Sequence, residues 1–337
     1  MACAVAGGAA AQTNVTAIGL VDMYAGASQF SGVADRSAVV GSGGMTTSWF
    51  GFKGSEELGG GLRAEFALTG FFRGDTGSSG RFNGDNLFSR DANIGLAGRF
   101  GKVQVGRGLA PNFLPTVLFN PFGDSFTFSP LVVHADMSGS AAWGGATNAA
   151  DTGWSNQVVY SSPKVGGLSA NVHYQSGEVA GQTSTNNVGA NLLYFSGPVG
   201  LTAFYHDTNV SNPNPVVTAN QQKTAFVGGS YDFKVLKLAA TVQRNENESA
   251  TTGARTSLDK TWSLGAWVPA GRGSVLGAYA RTKRDLAAAP DLTRSTFSLG
   301  YDYFLSKRTD VYAIAMNDKL AGYDHEMSYG LGIRHRY

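Results

Sequence analysis

The sequence predicts an all-β fold, a 16-stranded antiparallel transmembrane β-barrel. Three observations predict it. Apolar and polar residues alternate through many short runs, which sets one face of each run against an apolar medium and the other against water. No uncharged apolar run approaches the ~18 residues of a transmembrane helix. Connections alternate between short turns and long polar stretches. Lipid admits only helices and closed barrels, because every backbone polar group there must be paired within the protein. Composition agrees: of 337 residues only 15% are charged, while 46 are glycine and 11% aromatic. Soluble domains carry about 25% charged residues. Glycines and aromatics in this number suit many turns and interfacial girdles.

The chain opens Met1-Ala-Cys-Ala-Val-Ala-Gly-Gly-Ala-Ala-Ala11, small and apolar, and Ala9-Ala-Ala11 matches a signal-peptidase site before Gln12. Residues 1–11 read as the tail of a signal peptide, and residues 12–337 as the barrel. The single cysteine, Cys3, lies in that tail. The processed chain then has no disulfide framework and no thiolate metal site.

The first strand candidate, Asn14–Ala25, is apolar on both faces, which points to packing against a neighbouring subunit. Thr46–Gly54, Leu62–Phe72, Asn86–Ala97 and Lys102–Arg107 come next. In Leu62–Phe72, the residues Leu62, Ala64, Phe66 and Leu68 alternate with Arg63, Glu65, Ala67 and Thr69. Arg63 is assigned inward, since an arginine facing mid-bilayer lipid costs about 2–4 kcal/mol. Beyond a long stretch, Gly108–Thr152, the candidates are Trp154–Tyr160, Leu168–Gln175, Asn187–Phe195, Leu201–His206, Lys223–Phe233 and Lys237–Arg244. Lys260–Val268, Ser274–Lys283, Ser295–Phe304, Asp310–Asp318 and Glu326–Tyr337 complete the set. None of the ten prolines interrupts an alternating run, as expected where proline cannot donate to a ladder. In the last strand Tyr329, Leu331, Ile333, His335 and Tyr337 share one face, and Ser328, Gly330, Gly332, Arg334 and Arg336 the other.

Short connections such as Gly98–Gly101, Ser196–Gly200, Pro269–Gly273 and Leu305–Thr309 alternate with long polar ones. The long ones include Gly26–Met45, Thr208–Gln222, Asn245–Asp259 and Arg284–Arg294. Seven short turns and eight mostly longer loops match a barrel with both termini in the periplasm, turns inside and loops outside. Sixteen strands leave room for an aqueous lumen.

Val15-Thr-Ala-Ile-Gly-Leu-Val-Asp22, Phe50-Gly-Phe-Lys-Gly-Ser-Glu-Glu-Leu-Gly-Gly-Gly-Leu62, Leu87-Phe-Ser-Arg90, Gly101-Lys-Val-Gln-Val-Gly-Arg107 and Gly332-Ile-Arg-His-Arg-Tyr337 occur in this order. On these motifs the chain resembles the general diffusion porins of Gram-negative bacteria, in their β-proteobacterial branch, from about Gln12 to the end. The resemblance implies a multi-pass barrel in the cell outer membrane, a homotrimer, and passive diffusion of ions and small hydrophilic solutes. It also implies contact with outer-membrane lipid and lipopolysaccharide, and assembly by the barrel assembly machinery, with Tyr337 as the assembly signal.

Gly108–Thr152 far exceeds the ~12–15 residues of ordinary loops. It carries four prolines together with Phe113, Phe119, Phe122, Phe126 and Phe128. The resemblance implies that this is loop 3, folded into the lumen, with the phenylalanines on the wall and Asp124 and Asp136 free to face the pore. Arg90 and Arg107 occupy the family's wall-arginine motifs, so carboxylates would face cations across a narrow gap. Such charged rings govern selectivity. The expected constriction set is Trp49, Arg63, Glu65, Arg90, Arg107, Asp124 and Asp136. Three positions depart from the family: Trp49 stands where relatives carry arginine, Thr69 where they carry an acid, and no arginine occurs near Gly153 and Trp154.

The net charge of +2 argues against a nucleic-acid footprint. No metal-ligand pattern, Gly-x-Ser-x-Gly elbow or cofactor motif occurs, and an enzyme is not expected. His173 or His206 joined to a serine is the weakest reading. A substrate-specific channel is the nearest alternative to a general porin, and a structural or adhesive barrel a more distant one.

Overall fold

A strand in lipid cannot leave its ladder unpaired, so the sheet has to close on itself. The computed structural model shows that closure. It describes residues 14–136, 140–144, 151–181 and 185–337, and the expected signal tail, residues 1–11, lies outside them. In order come β1 (Asn14–Ser28), β2 (Ser37–Ser42), β3 (Trp49–Gly59), β4 (Leu62–Arg73), β5 (Ser78–Ser79), β6 (Asp91–Gly98) and β7 (Gly101–Leu109). Two short helices come after them, α1 (Phe113–Leu118) and α2 (Pro130–Asp136). Next are β8 (Gly153–Ser161), β9 (Leu168–Ser176), β10 (Asn186–Ser196), β11 (Val199–Val210), β12 (Val217–Asp232) and β13 (Lys237–Ser249). The last five are β14 (Arg255–Ala270), β15 (Gly273–Leu286), β16 (Leu292–Phe304), β17 (Thr309–Leu320) and β18 (His325–Arg336).

These 18 segments form one antiparallel sheet. Both β2 and β3 pair with β1, as two halves of one stave, and β5 is a two-residue side pairing of β4. Sixteen staves remain, and β1 pairs with β18 to close the ring, with Leu20 opposite Arg336 and Asp22 opposite Arg334. The closing seam ends on a reciprocal pair: Gly19 N–H donates to Tyr337 O at 3.3 Å, and Tyr337 N–H to Gly19 O at 3.1 Å. The Tyr337 ring lies over Gly19, where a Cβ would come within 2.4 Å of it.

All sixteen expected strands are present, and several run longer. Gly26–Met45, expected as a loop, contains β2. Thr208–Gln222 narrows to a link of residues 211–216, and Asn245–Asp259 to 250–254. Above the hydrocarbon both faces of a strand meet water, so alternation fades although the ladder continues. One strand is shorter: Asn86–Ala97 begins at Asp91, leaving Arg90 in a bend. Register shifts occur at Glu57/Gly59, Gly106/Gly108, Thr208/Val210 and Asn247/Glu248, all near strand ends.

The apolar core sits between the wall and residues 110–136. Phe122 and Phe128 pack with Met45, Ala278, Tyr312, Ile314 and Met316, and Leu131 packs with Phe204 and Phe226. The wall receives this segment on small residues. A Cβ at Gly265 would lie 2.4 Å from Pro121, one at Gly189 2.7 Å from Pro111, and one at Gly330 2.9 Å from Phe128. Polar staples fix the same path. Asn191 Nδ2 donates to Pro111 O at 2.9 Å, and Ser298 Oγ to Phe128 O at 2.7 Å. The His134 ring lies 2.8 Å from both Thr282 Oγ1 and Thr296 Oγ1.

Gly265→Leu would drive Pro121 off the wall. Overpacking of this kind costs about 1–3 kcal/mol, so the variant is expected to unfold at lower temperature and to show larger, noisier single-channel steps. A conductance identical to the parent protein would show that the segment is not seated there.

Candidate functional site

Inward-facing residues of β1, β3, β4, β6 and β7 converge on a polar chamber, and the 110–136 segment covers part of it. On β3, Phe50 and Phe52 are outward and exposed, which turns Trp49, Gly51 and Lys53 inward. Arg90, at the entry to β6, lays its guanidinium 4.0 Å from the centre of the Trp49 ring. Its Nη1 donates to Asp91 Oδ2 at 2.6 Å, and Thr69 Oγ1 donates to the same oxygen at 2.6 Å. Thr69 thus supports an acid on the neighbouring stave, and Trp49 gives Arg90 a flat face. A stacked cation of this sort gains about 0.5–2 kcal/mol, more when desolvated.

Below this pair lies a space of about 360 Å³ whose polar lining includes Lys53, Lys102, Gln104, Asn93, Asn171 and Asn191. It leads to a second space of about 380 Å³ that Glu65 also lines. Lys102 Nζ is 3.5 Å from Glu65, and Arg63 is 3.2 Å from Glu65 and 3.8 Å from Glu57. Arg63 and Glu65 therefore sit together toward the periplasmic turn. Lys53 ion-pairs with no carboxylate among the described residues.

On the opposite side Asp124 has Thr46, Arg334 and Arg90 as the polar groups that act on its carboxylate. Arg334 ties this corner together, donating to Thr46 Oγ1 at 2.9 Å, Asp310 Oδ2 at 2.9 Å and Asp302 Oδ2 at 3.2 Å. Thr46 itself is held by Asp22, whose Oδ2 accepts from the Met45 and Thr46 amides at 2.8 Å each. Asp136 ends α2 and lines a separate, outer cavity of about 490 Å³ with Arg73, Arg81 and Asp151.

Similarity to known proteins agrees with this architecture. The family model described as Gram-negative porin matches residues 1–322. The chain belongs to the Gram-negative porin family. It is 30% identical to outer membrane porin protein 32 of Delftia acidovorans over 92% of this chain and 85% of that protein. It is 28% identical to an outer membrane porin protein of Bordetella pertussis over 98% of this chain and 96% of that one. Among solved structures, the anion-selective porin from Comamonas acidovorans superimposes with a TM-score of 0.77 at 25% identity, covering 97% of this chain and 100% of the other. This porin is accordingly an outer-membrane barrel and a passive diffusion channel, not an enzyme.

Two residues of the expected constriction set lie elsewhere in this porin. Asp136 is in the outer cavity, away from Trp49 and Arg90. Arg107, expected on the wall facing the inserted segment, is buried: 7% of it is exposed. Its Nε donates to Ser89 O at 2.5 Å, and its Nη1 to Gly153 O and Ser155 Oγ at 3.0 Å each; Nη2 is 3.5 Å from Asp151. The cause is local. Gly106 takes a φ of +117°, and opposite Arg107 the partner strand β8 carries one extra residue, since Gly106 pairs with Gln157 but Gly108 with Trp154; this bulge in β8 brings Gly153 O and Ser155 Oγ to the guanidinium. There Arg81 also holds Asp151 at 2.8 Å and Asp85 at 2.9 Å. Burial pushes the Asp85 carboxyl up, but the hydrogen bonds and charge of Arg81 outweigh it and leave it below its ordinary value.

Lys53, Lys102 and Arg334 were not in the expected set. For Arg334 the signal was available, since the terminal strand's inward face is cationic. For Lys53 it lay in the alternation of Phe50 and Phe52 with Gly51 and Lys53.

Removing a buried charge leaves its partners unmatched at roughly 3–5 kcal/mol. Arg107→Ala is therefore expected to lower the unfolding temperature clearly while leaving the reversal potential in a salt gradient unchanged. A shifted reversal potential at normal stability would place Arg107 in the ion path.

Proposed function

We propose that this porin is a weakly anion-preferring general diffusion channel, narrowed by residues 110–136 of the long segment after β7. In this reading the narrow point lies between Asp124 on one side and Trp49, Arg90 and Lys53 on the other. Arg63 and Glu65 then line the exit toward the periplasm. The observation that carries it is the chamber beside Lys53, Arg90 and Lys102. Arg90 and Lys102 are each matched by one carboxylate and Lys53 by none, while the remaining polar lining is mostly amide. A surplus of one cation in a water-filled neck favours anions modestly, and salt screens the effect. The similarity to a structure described as an anion-selective porin supports the same sign. Trp49 supplies a flat apolar face on which sugars or aromatic solutes stack as they pass.

We further propose a homotrimer assembled through the β1 side, with lipid and lipopolysaccharide around the remaining wall. Support comes from β1 itself, whose outward residues include Val15, Ala17 and Val21, and from the neighbouring Phe50, Phe52 and Leu68, all exposed on one continuous face. The terminal strand ending at Tyr337 is proposed as the element that the barrel assembly machinery reads.

Planar-bilayer recording in a salt gradient tests the first proposal. The parent protein should give a small anion-side reversal potential, and Lys53→Ser with Arg90→Ser should move it toward cations, more strongly at low salt. An unchanged potential in the double variant would sink the assignment. For the second, unboiled protein on a mild SDS gel should migrate near three times the 35.2 kDa chain mass and fall to monomer on boiling. A monomer in mild detergent would refute the trimer.

A further inference from the structure

Pore chemistry uses the inner face of the wall, yet the outer face of β13–β15 carries cations of its own. On β15, Leu276, Ala278, Ala280 and Thr282 are buried inward, so Gly277, Tyr279, Arg281 and Lys283 face outward. Register sets Arg281 beside Trp262 of β14, and Trp262 beside Val242 of β13. Arg281 thus shares a row with apolar belt residues. One row farther from the periplasm, Arg244, Lys260 and Lys283 are register partners on three adjacent strands. Each of these three has a carboxylate. Arg244 is 2.8 Å from Glu246, Lys260 3.5 Å from Asp285, and Lys283 2.9 Å from both Asp285 and Asp291. Arg281 ion-pairs with none among the described residues. A guanidinium on a lipid-facing wall is costly unless an anion meets it. The anion available at that surface is a lipid phosphate, which arginine binds in bidentate fashion.

Immediately toward the periplasm, an apolar groove of about 850 Å³ crosses the same strands. Its floor includes Ala240, Ala266 and Gly277, and its sides include Leu264, Tyr279 and Phe297. A Cβ on Gly277 would meet nothing within 4 Å, so the floor is open. The Trp262 and Tyr279 rings, 5.1 Å apart, stand at the edge between groove and cations.

We propose that this face binds one phosphorylated, acylated glycolipid of the outer leaflet, its phosphate on Arg281 and Lys283 and an acyl chain in the groove. The outer leaflet is indicated because β15 leaves its periplasmic turn at Gly273 and the cations lie in its far half. The inference deepens the proposed lipopolysaccharide contact by giving it a place, and rests on the lipid-facing reading of this wall but not on the selectivity reading.

The test is native mass spectrometry of the full-length, delipidated protein in mild detergent, titrated with diphosphoryl lipid A, dephosphorylated lipid A or phosphatidylglycerol. Diphosphoryl lipid A should be retained at one molecule per chain and the other two more weakly. Arg281→Ala with Lys283→Ala, and separately Gly277→Trp, should each weaken retention about tenfold, the scale of a charge-assisted contact. Conductance should stay at the parent value, which certifies an intact barrel. Should Gly277→Trp fail to assemble, Ala266→Leu fills the same floor. Retention untouched by both kinds of variant, or phosphatidylglycerol held as tightly as lipid A, overturns the site. Lost selectivity with retained lipid binding would count against the pore reading alone.

Discussion

Everything in this molecule depends on the ladder between β1 and β18. An open sheet in hydrocarbon would expose two rows of unpaired amides and carbonyls, each costing several kcal/mol. Pairing Leu20–Ala27 with Tyr329–Arg336 removes both rows at once. Because the ring is closed, period-two alternation acquires a fixed meaning all the way round: one set of side chains meets lipid and the other meets the lumen. The reciprocal bonds between Gly19 and Tyr337 end that seam, and the small Gly19 lets the terminal ring lie flat on the wall.

Closure creates an interior that has to be filled or lined, and the inner wall does both. Where the wall is small, at Gly189, Gly265 and Gly330, the 110–136 segment comes to rest and Phe122 and Phe128 bury against it. Where it is charged, arginines and aspartates on adjacent staves match one another: Arg294 with Asp318 at 2.9 Å, Arg284 with Asp259 at 2.8 Å, and Arg334 with Asp310 at 2.9 Å. Matched pairs of this kind are costly to break singly. They hold the wall beneath the segment rigid and leave few cations unmatched near the chamber. Lys53 is one of those few, which is why it dominates the sign argued for the pore.

The staves were legible in the sequence because lipid imposes alternation on every one of them. Leu331 and Ile333 against Arg334, or Trp262 and Leu264 against Ser263, each mark a two-faced strand. The upper halves of β11–β16 were illegible for the complementary reason: with water on both faces, nothing in Asn245–Ser249 or Arg255–Asp259 distinguishes a strand from a loop. Trp49, Arg90 and Asp124 were named from motif and loop length, and the stacking of Arg90 on Trp49 was not, since it depends on a bend at Arg90 that no pattern announces. Arg107 is buried because an extra residue in the neighbouring β8 brings Gly153 O and Ser155 Oγ to its guanidinium, which no pattern along β7 announces. Contacts such as Ser125 Oγ with Gly44 O, 81 residues apart, are set by where the segment comes to rest, which alternation along individual strands does not encode.

The position of those bulges has a consequence for how such a chain can change length. In mid-strand, deleting one residue would exchange lipid and water faces for the rest of that stave: Trp262 and Leu264 would turn into the lumen, and Thr261 and Ser263 into hydrocarbon. Near a stave's end few residues remain to be flipped, and the four register shifts lie there. Insertions and deletions are thus expected at loop tips and strand ends, or in even numbers within the membrane. The barrel reads its gene with a parity rule, accepting odd-numbered length change only at its margins.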